Sequence, residues 1–249
     1  MDSEKKCKQE LEEAESIYDL IMQIPPDFSK LRRRFEEVSC SSESISRIAV
    51  QFAEACFDET IEHGCVEECE EHYGCFFSRP PVLVEGEHST YLVRVMELLL
   101  EYGLDPNAVV DNENVMQIVH YIENEYVAAD TYALLFEHGA NTHLVVDDWS
   151  VFKDIDFDVL FDAHNQYDRR KYDSLVHCWF VWLGYGARLD NGETGLELFE
   201  DRNAEAVFDV SKLRNHRDYT FGLSHVPSHG ENWSLHIFDK RTMWEVARL

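Results

Sequence analysis

The densest group of metal-ligating residue types lies in the segment HGCVEECEEHYGC, residues 63–75. Thiolate and imidazole are the donors that zinc prefers, and the segment offers five of them. They are His63, Cys65, Cys69, His72 and Cys75. The segment has no C-x2-C pair, and four glutamates are interleaved, so a short helix with Cys65 and Cys69 on a buried face is the favoured alternative. We therefore predict no metal and no other cofactor.

A second candidate for metal binding is the alternation of Asp154, Asp156 and Asp158. Alternating carboxylates occur in calcium loops, which also need a glycine at the turn and a terminal glutamate. Here both are missing, and the residues between the aspartates, Ile155 and Phe157, are bulky and apolar. The pattern is more typical of a helix N-terminus, where negative charge suits the helix dipole.

Four histidines near the end of the chain could support acid–base chemistry. His216, His225, His229 and His236 are separated by 9, 4 and 7 residues, which matches no recognised ligand motif. The chain also lacks the G-x-S-x-G, P-loop, G-x-G-x-x-G and H-E-x-x-H patterns. We interpret the histidines as surface or hydrogen-bonded side chains and predict that the protein is not an enzyme.

Composition and charge limit the classes of protein to which the chain could belong. The 249 residues are 45% hydrophobic and carry a net charge of −27. No apolar run is long enough to cross a membrane, the first residues contain no apolar signal segment, and the seven cysteines are an odd number. We expect a soluble cytoplasmic protein with reduced thiols and no membrane partner. Direct nucleic-acid binding is disfavoured, because phosphates repel such a charge.

One helical pattern is unusually complete. In residues 95–107, VMELLLEYGLDPN, apolar side chains recur at the spacing of one buried helical face. Gly103 can adopt the positive φ of a helix C-terminus, and Pro106 prevents the helix from resuming. The same ending recurs in TYALLFEHGANTH and CWFVWLGYGARLD, so Gly103, Gly139 and Gly186 lie 36 and 47 residues apart. Such spacing is typical of stacked structural repeats.

These endings resemble the ankyrin-repeat family, whose second helix ends in leucines followed by Gly-Ala-Asp-x-Asn. The segment from Asn191 to Leu198, NGETGLEL, is similar to the opening of that family's next repeat, with its Pro and His replaced. The resemblance covers roughly residues 88–200. It implies a mainly α fold, an ankyrin-like helical repeat array preceded by an N-terminal helical segment.

Pattern changes set the expected domain boundaries. Residues 1–78 contain three predicted helices, at 8–24, 28–38 and 44–63, with Asp27 as the predicted N-cap of the second. One interpretation of this region is a degenerate repeat. Prolines and glycines at 78–88 separate them from the repeats at 88–200. In residues 201–249 the acidic and basic side chains are equal in number, and period-two alternation predicts a small cap with short antiparallel strands.

Three further details accompany this architecture. The basic run at residues 30–34 is expected to pair with carboxylates of the chain itself. The rings of Trp179, Phe180 and Trp182 are expected to contact the cap, with an exposed binding surface as the alternative. Residues 242–249 could form either a third strand or a closing helix.

Resemblance to ankyrin proteins also implies where a partner would bind, in the fingers that follow each helix stop. The predicted partner-binding residues are Asp111, Asn112, Glu113, Asp147, Asp148, Trp149, Asp190, Asn191 and Glu193. The predicted function is a non-catalytic protein–protein interaction module whose acidic surface binds a basic protein. The alternative is an inhibitor that mimics nucleic-acid charge and blocks a defence nuclease, since phages and mobile elements encode small acidic proteins of this kind.

Overall fold

A computed structural model describes residues 2–23, 25–63, 91–120, 122, 126–146, 149–150, 169–187, 209–225 and 233–248. The described chain is mostly helical, with a small antiparallel sheet at its C-terminal end. It divides into two compact units, residues 1–127 and 128–249. In the described ranges, no helix combines the length and the apolar character that crossing a membrane requires.

The first unit is built around its third helix. The helices are α1 (Asp2–Ile21), α2 (Phe28–Glu37), α3 (Ser42–His63), α4 (Leu92–Glu101) and α5 (Val115–His120). Helix α3 packs against α1, α4 and α5, and buries Ile45, Ile48, Phe52 and Cys56. The three predicted N-terminal helices are therefore confirmed, and α1 begins six residues earlier than its apolar pattern indicates.

Local sequence explains where α2 begins. The side chain of Asp27 accepts hydrogen bonds from the backbone nitrogens of Ser29 (3.1 Å) and Lys30 (3.0 Å). These bonds satisfy two of the amide groups that a helix N-terminus leaves without partners, as predicted for this residue. In the basic run, Arg32 pairs with Glu101 of α4. Intramolecular pairing is thereby confirmed for this arginine.

The described part of the second unit comprises two helices, a 3-10 helix and two sheets. They are α6 (Val127–Glu137), β1 (Val145–Val146), β2 (Trp149–Ser150), α7 (Arg169–Gly184), the 3-10 helix η1 (Val210–Asp218), β3 (Tyr219–His225), β4 (Trp233–Asp239) and β5 (Glu245–Arg248). Strands β3, β4 and β5 form an antiparallel meander with β4 in the centre. The predicted antiparallel strands are confirmed, and the closing segment is a strand rather than a helix.

Of the three aromatic side chains of α7 expected to contact the cap, Phe180 does so, whereas the ring of Trp182 packs edge-on against Tyr132 of α6. Trp179, Phe180 and Trp182 are buried. The ring of Phe180 packs edge-on against Tyr219 and Phe221 of β3, with centroids 6.4 Å apart in both pairs. Edge-to-face contacts of this kind add to the stabilisation that burial of the rings provides.

Helix α7 and η1 meet at a glycine. A Cβ atom added to Gly184 would lie 2.7 Å from the backbone nitrogen of Arg214, so only glycine allows this approach. The guanidinium Nε of Arg214 donates to the carbonyl oxygen of Gly184 at 2.8 Å. Sequence patterns indicated neither η1 nor this contact. Residues 169–171 form the first turn of α7.

Candidate interaction surface

All three predicted helix stops have the same backbone geometry. Gly103, Gly139 and Gly186 have φ angles of +103°, +88° and +82°, in the left-handed region that favours glycine. After α4, the nitrogen of Leu104 donates to the oxygen of Leu99 (2.9 Å) and that of Gly103 to Leu100 (3.2 Å). The same two bonds close α6 and α7, at distances of 3.0 Å. This pair of bonds defines the Schellman ending of a helix.

The first two stops share a further turn. The nitrogen of Asn107 donates to Oδ1 of Asp105 at 2.9 Å, and that of His143 donates to Oδ1 of Asn141 at 2.9 Å. His143, the donor in the second turn, lies 36 residues beyond Asn107, the donor in the first. An aspartate or asparagine side chain that bonds the backbone two residues later stabilises such a turn locally.

The first finger is a tight hairpin between Val110 and Glu113, which form a two-residue bridge with backbone bonds of 2.8 and 2.9 Å. The residues at its tip, Asp111 and Asn112, have φ angles of +53° and +69°. Positive φ at both central positions is the type I′ hairpin turn, for which asparagine and aspartate are among the favoured residues. The predicted finger is therefore present as a defined hairpin.

Asn114 holds this finger to the start of α5. Its buried Oδ1 accepts from the nitrogen of Met116 at 2.9 Å and so caps the start of α5. Its Nδ2 donates to the carbonyl oxygens of Pro106 (3.1 Å) and Ala108 (2.7 Å). One side chain thus links the turn, the finger and the helix.

The second finger repeats the first at the same spacing. Val146 pairs with Trp149 in the β1–β2 hairpin, and these residues lie 36 positions beyond Val110 and Glu113. The predicted Asp147 and Asp148 at its tip lie outside the described residues, and only the backbone of Trp149 is described. The third finger, with Asp190, Asn191 and Glu193, also lies outside them.

Both described fingers expose a valine at the same position. Val109 and Val145 are 50% and 63% exposed and lie 36 residues apart, each directly before the pairing residue of its finger. The sequence pattern did not indicate this exposure, although the spacing of the stop glycines aligns the two valines. Single exposed valines are ordinary on a protein surface, so it is their recurrence at the same position of both fingers that makes them candidates for partner contact.

The charge of the first finger is partly compensated within the chain. Nη1 of Arg47 on α3 lies 2.6 Å from Oδ2 of Asp111, and Nη2 lies 3.6 Å from Oε1 of Glu43. Asn112 is exposed, and Glu113 is half-buried. The finger therefore presents a neutral amide, one carboxylate and an ion pair, together with Val109, rather than a row of free carboxylates.

A polar network in the second unit was also missed. Nε2 of the buried His216 donates to Oδ1 of Asp130 on α6 at 3.0 Å, and Nδ1 of His216 lies 3.2 Å from Nδ1 of His177 on α7. Arg217 of η1 pairs with Asp130. His216 is hydrogen-bonded, as predicted, but it is buried rather than on the surface. Nδ1 of His236, on β4, lies 3.2 Å from Oε1 of Glu245.

Burial and neighbouring groups shift the ionisation of this network. Burial, reinforced by the His216 ring, lowers the pKa of His177 from 6.5 to about 3. Burial of Asp130 opposes its ionisation, but hydrogen bonds from His216 and Arg217 outweigh this cost and lower the pKa of its carboxyl. Because both imidazoles are buried, the network has the features of a structural clamp between α6, α7 and η1 rather than an open reaction site.

Other predicted chemical groups fall outside the described ranges. These include the side chains of the cysteine–histidine segment at 63–75 and the three alternating aspartates at 154–158. Among the residues that are described, no three His, Cys, Asp or Glu side chains are arranged to hold a metal ion. Comparisons with models of protein families, with curated proteins and with solved structures found no match.

Proposed function

We propose that the chain is a non-catalytic protein–protein interaction module with ankyrin-like repeats, whose fingers bind a basic protein. One observation carries the proposal: a hairpin finger recurs at a spacing of 36 residues with an exposed valine at the same position in both copies. Each finger offers a partner the same kind of contact, a short hairpin with an exposed valine beside it.

The geometry of the helix stops supports the ankyrin-like part of the proposal. Each stop is a Schellman ending, and in the first two an Asx turn and a finger follow. The order of helix, stop, turn and finger is the order that the ankyrin resemblance implies. The resemblance gives the architecture, while the partner has to be inferred from the finger residues.

The first finger is held in place before any partner binds. The first has backbone bonds across its hairpin, three bonds from Asn114 and an ion pair from Arg47. Ordering a flexible side chain at an interface costs about 0.5–1.5 kcal/mol, so a finger already fixed in place loses less entropy on binding. This favours recognition by the finger tips over a purely scaffolding role.

Exposed valines favour protein binding over mimicry of nucleic-acid charge. A mimic needs carboxylates spaced like phosphates, whereas Asp111 is engaged by Arg47. Val109 and Val145 offer apolar contact area that a basic nucleic-acid groove does not require. The net charge of −27 remains the observation in favour of the mimic, and the partner's identity distinguishes the two functions.

The test is capture of the partner from lysate of the native cells by the full chain, followed by affinity measurement with the purified partner. We expect a basic, non-nuclease protein whose affinity falls about tenfold when Val109 and Val145 are both replaced by serine. Glu113→Lys should also weaken binding, while Glu36→Lys, the same charge change on the exposed face of α2, should not.

Two outcomes would contradict the proposal. Equal affinity of the wild-type chain and the double valine variant would show that the fingers are not the binding surface. Capture of a nuclease or another nucleic-acid-binding protein, released by modest salt and insensitive to the valines, would support charge mimicry instead.

A further inference from the structure

A serine and an arginine join helices α1 and α2 of the first unit. Nε and Nη2 of Arg34 both donate to Oγ of Ser16, at 3.0 and 2.9 Å. The same hydroxyl donates its hydrogen to the backbone oxygen of Glu13 at 2.7 Å. Oγ of Ser16 therefore makes the one donated and two accepted hydrogen bonds that a hydroxyl group can form.

The guanidinium of Arg34 is matched to a larger group than a hydroxyl. The N–H groups of an arginine fork are spaced for two oxygens of a carboxylate or a phosphate. Here Nε and Nη2 converge on one neutral oxygen. The carboxylate of Glu37 lies 3.8 Å from Nη1, so it leaves these two nitrogens to Ser16. A phosphoryl group on Ser16 would offer the fork the additional, charged oxygens that a hydroxyl lacks.

Acidic residues flank Ser16 along the chain. Glu15 directly precedes it, and Asp19 follows three positions later. Both of these side chains are exposed, whereas that of Ser16 is half-buried. Of the serines in the sequence, only Ser16 has an acid at both of these positions. Protein kinases distinguish their substrates by such charge patterns, so this sequence suits a kinase that selects acidic segments.

Ser16 lies in a part of α1 that can open. It is in the last two turns of the helix, which ends at Ile21. Helix ends open more readily than helix centres, and such opening makes a short segment accessible to an enzyme. Because the opening also exposes the buried Ile17 and Ile21, we expect slower modification than in a flexible peptide of the same sequence.

We propose that Ser16 is a phosphorylation site for a protein kinase that selects acidic segments, and that Arg34 binds the resulting phosphate. In the reaction, the γ-phosphoryl group of a nucleoside triphosphate moves to Oγ of Ser16. The new O–P bond forms as the bond to the departing diphosphate breaks, and the hydroxyl proton passes to the kinase's base. The modified serine loses its bond to Glu13 and gains charge-assisted bonds to the fork of Arg34.

Opposing charges then act on the phosphate. Arg34 attracts it, whereas Glu15 and Asp19 of the same helix repel it. An adjacent guanidinium favours the doubly charged form of the phosphate, and adjacent carboxylates favour the singly charged form. The pH at which the phosphate loses its second proton therefore reports whether Arg34 binds it.

Mass spectrometry of the full chain after incubation with such a kinase and ATP tests the site. We expect a phosphate on Ser16, at a position that stays unmodified in Ser16→Ala. Asp19→Ala should slow the modification about tenfold, because it removes a charge that the kinase selects. Glu97→Ala, the same kind of change on the exposed surface of α4, should leave the rate unchanged.

Phosphorus NMR of the phosphorylated chain as a function of pH tests the role of Arg34. Arg34→Gln should raise the midpoint of the phosphate titration by about one pH unit, because the fork is lost and the carboxylates remain. Arg33→Gln, the matched change at the neighbouring exposed arginine, should not move it. Circular dichroism confirms that each variant is folded.

Two results would overturn the proposal. If the kinase leaves Ser16 of the full chain unmodified, the Ser16–Arg34 pair is only a tether between α1 and α2. If Ser16 is modified but the titration midpoint is the same with and without Arg34, the arginine does not bind the phosphate.

Discussion

Two aspartates bonded to arginines show how differently the two units use the same pair of residue types. Asp111, at the tip of the first finger, is 71% exposed and is paired with Arg47 of α3. Asp130, on α6, is only 25% exposed and is bonded to Arg217 and to the buried His216. The first pair is surrounded by water, and the second closes over a buried imidazole.

The two aspartates differ in whether water can replace the lost partner when the pair is broken. If Arg47 releases Asp111, water can solvate both charges, so the pair contributes little to stability. If Asp130 is removed, the Nε2–H group of His216 loses its acceptor in a place that water reaches poorly. A buried donor without an acceptor costs more than the bond itself contributes. The Asp111–Arg47 pair therefore contributes little to stability, while Asp130 stabilises the fold.

The largest effect is expected for Asp130→Ala, which should lower the free energy of unfolding of the second unit by about 3 kcal/mol. Asp130→Asn, which keeps an oxygen acceptor for His216 and loses only the charge facing Arg217, should cost about 1 kcal/mol. Urea unfolding followed by tryptophan fluorescence measures both, since Trp179 and Trp182 are buried in this unit. Equal costs for the two variants would contradict the importance of the His216 bond.

A fall in pH should lower the stability of the second unit, which contains the buried His177. The pKa of His177 is about 3 in the folded chain and near 6.5 when unfolded, so the unfolded state binds the proton more readily as the pH falls. Protonation of His177 in the unfolded state should lower the free energy of unfolding by about 2 kcal/mol between pH 8 and pH 5. Hydrogen exchange should show α7 and η1 losing protection in this range. His177→Gln should reduce that pH dependence, and an unchanged slope would exclude His177 as its source.

Replacement of the stop glycines should affect the two units alike. Gly103→Ala and Gly139→Ala place a Cβ at positive φ, although no neighbouring atom lies within 4 Å of it. The cost is therefore conformational, about 1–2 kcal/mol in each case. Thermal unfolding of the two variants measures it. A much larger loss in one of them would show that the stops are not equivalent.

The smallest effect is expected for Asp111→Asn, which removes the charge that faces Arg47 and keeps a residue that tolerates positive φ. The free energy of unfolding should change by less than about 1 kcal/mol, and less still at high salt. Urea unfolding at low and high salt checks this. A loss as large as that of Asp130→Ala would show that the two arginine pairs are energetically alike after all.

Sequence patterns predicted the features that depend on neighbours along the chain. The α2 cap at Asp27, the three glycine stops and the hairpin at Val110–Glu113 are all present, and the backbone and capping hydrogen bonds that define them join residues at most five positions apart. Apolar periodicity also located α3 and the aromatic helix, whose buried faces repeat every turn.

Features that depend on distant residues were not predictable in the same way. Asp130 meets His216 across 86 positions, and Arg47 meets Asp111 across 64. No spacing rule marks such pairs, and His216 lies in a 3-10 helix whose short polar sequence resembles a loop. Of the predicted binding residues, only the first finger is fully described, and its pairing with Arg47 changes which of its groups are available to a partner.

The glycine stops also bear on how the chain reaches its fold. Each consists of bonds that span three or five positions, so it can form as soon as its own helix does, on a time scale of about a microsecond or less. Helix ends set in this way limit the register errors that a repetitive chain could otherwise make when similar segments pair. The slower steps are then the long-range ones, above all closure of the 86-residue separation between Asp130 and His216.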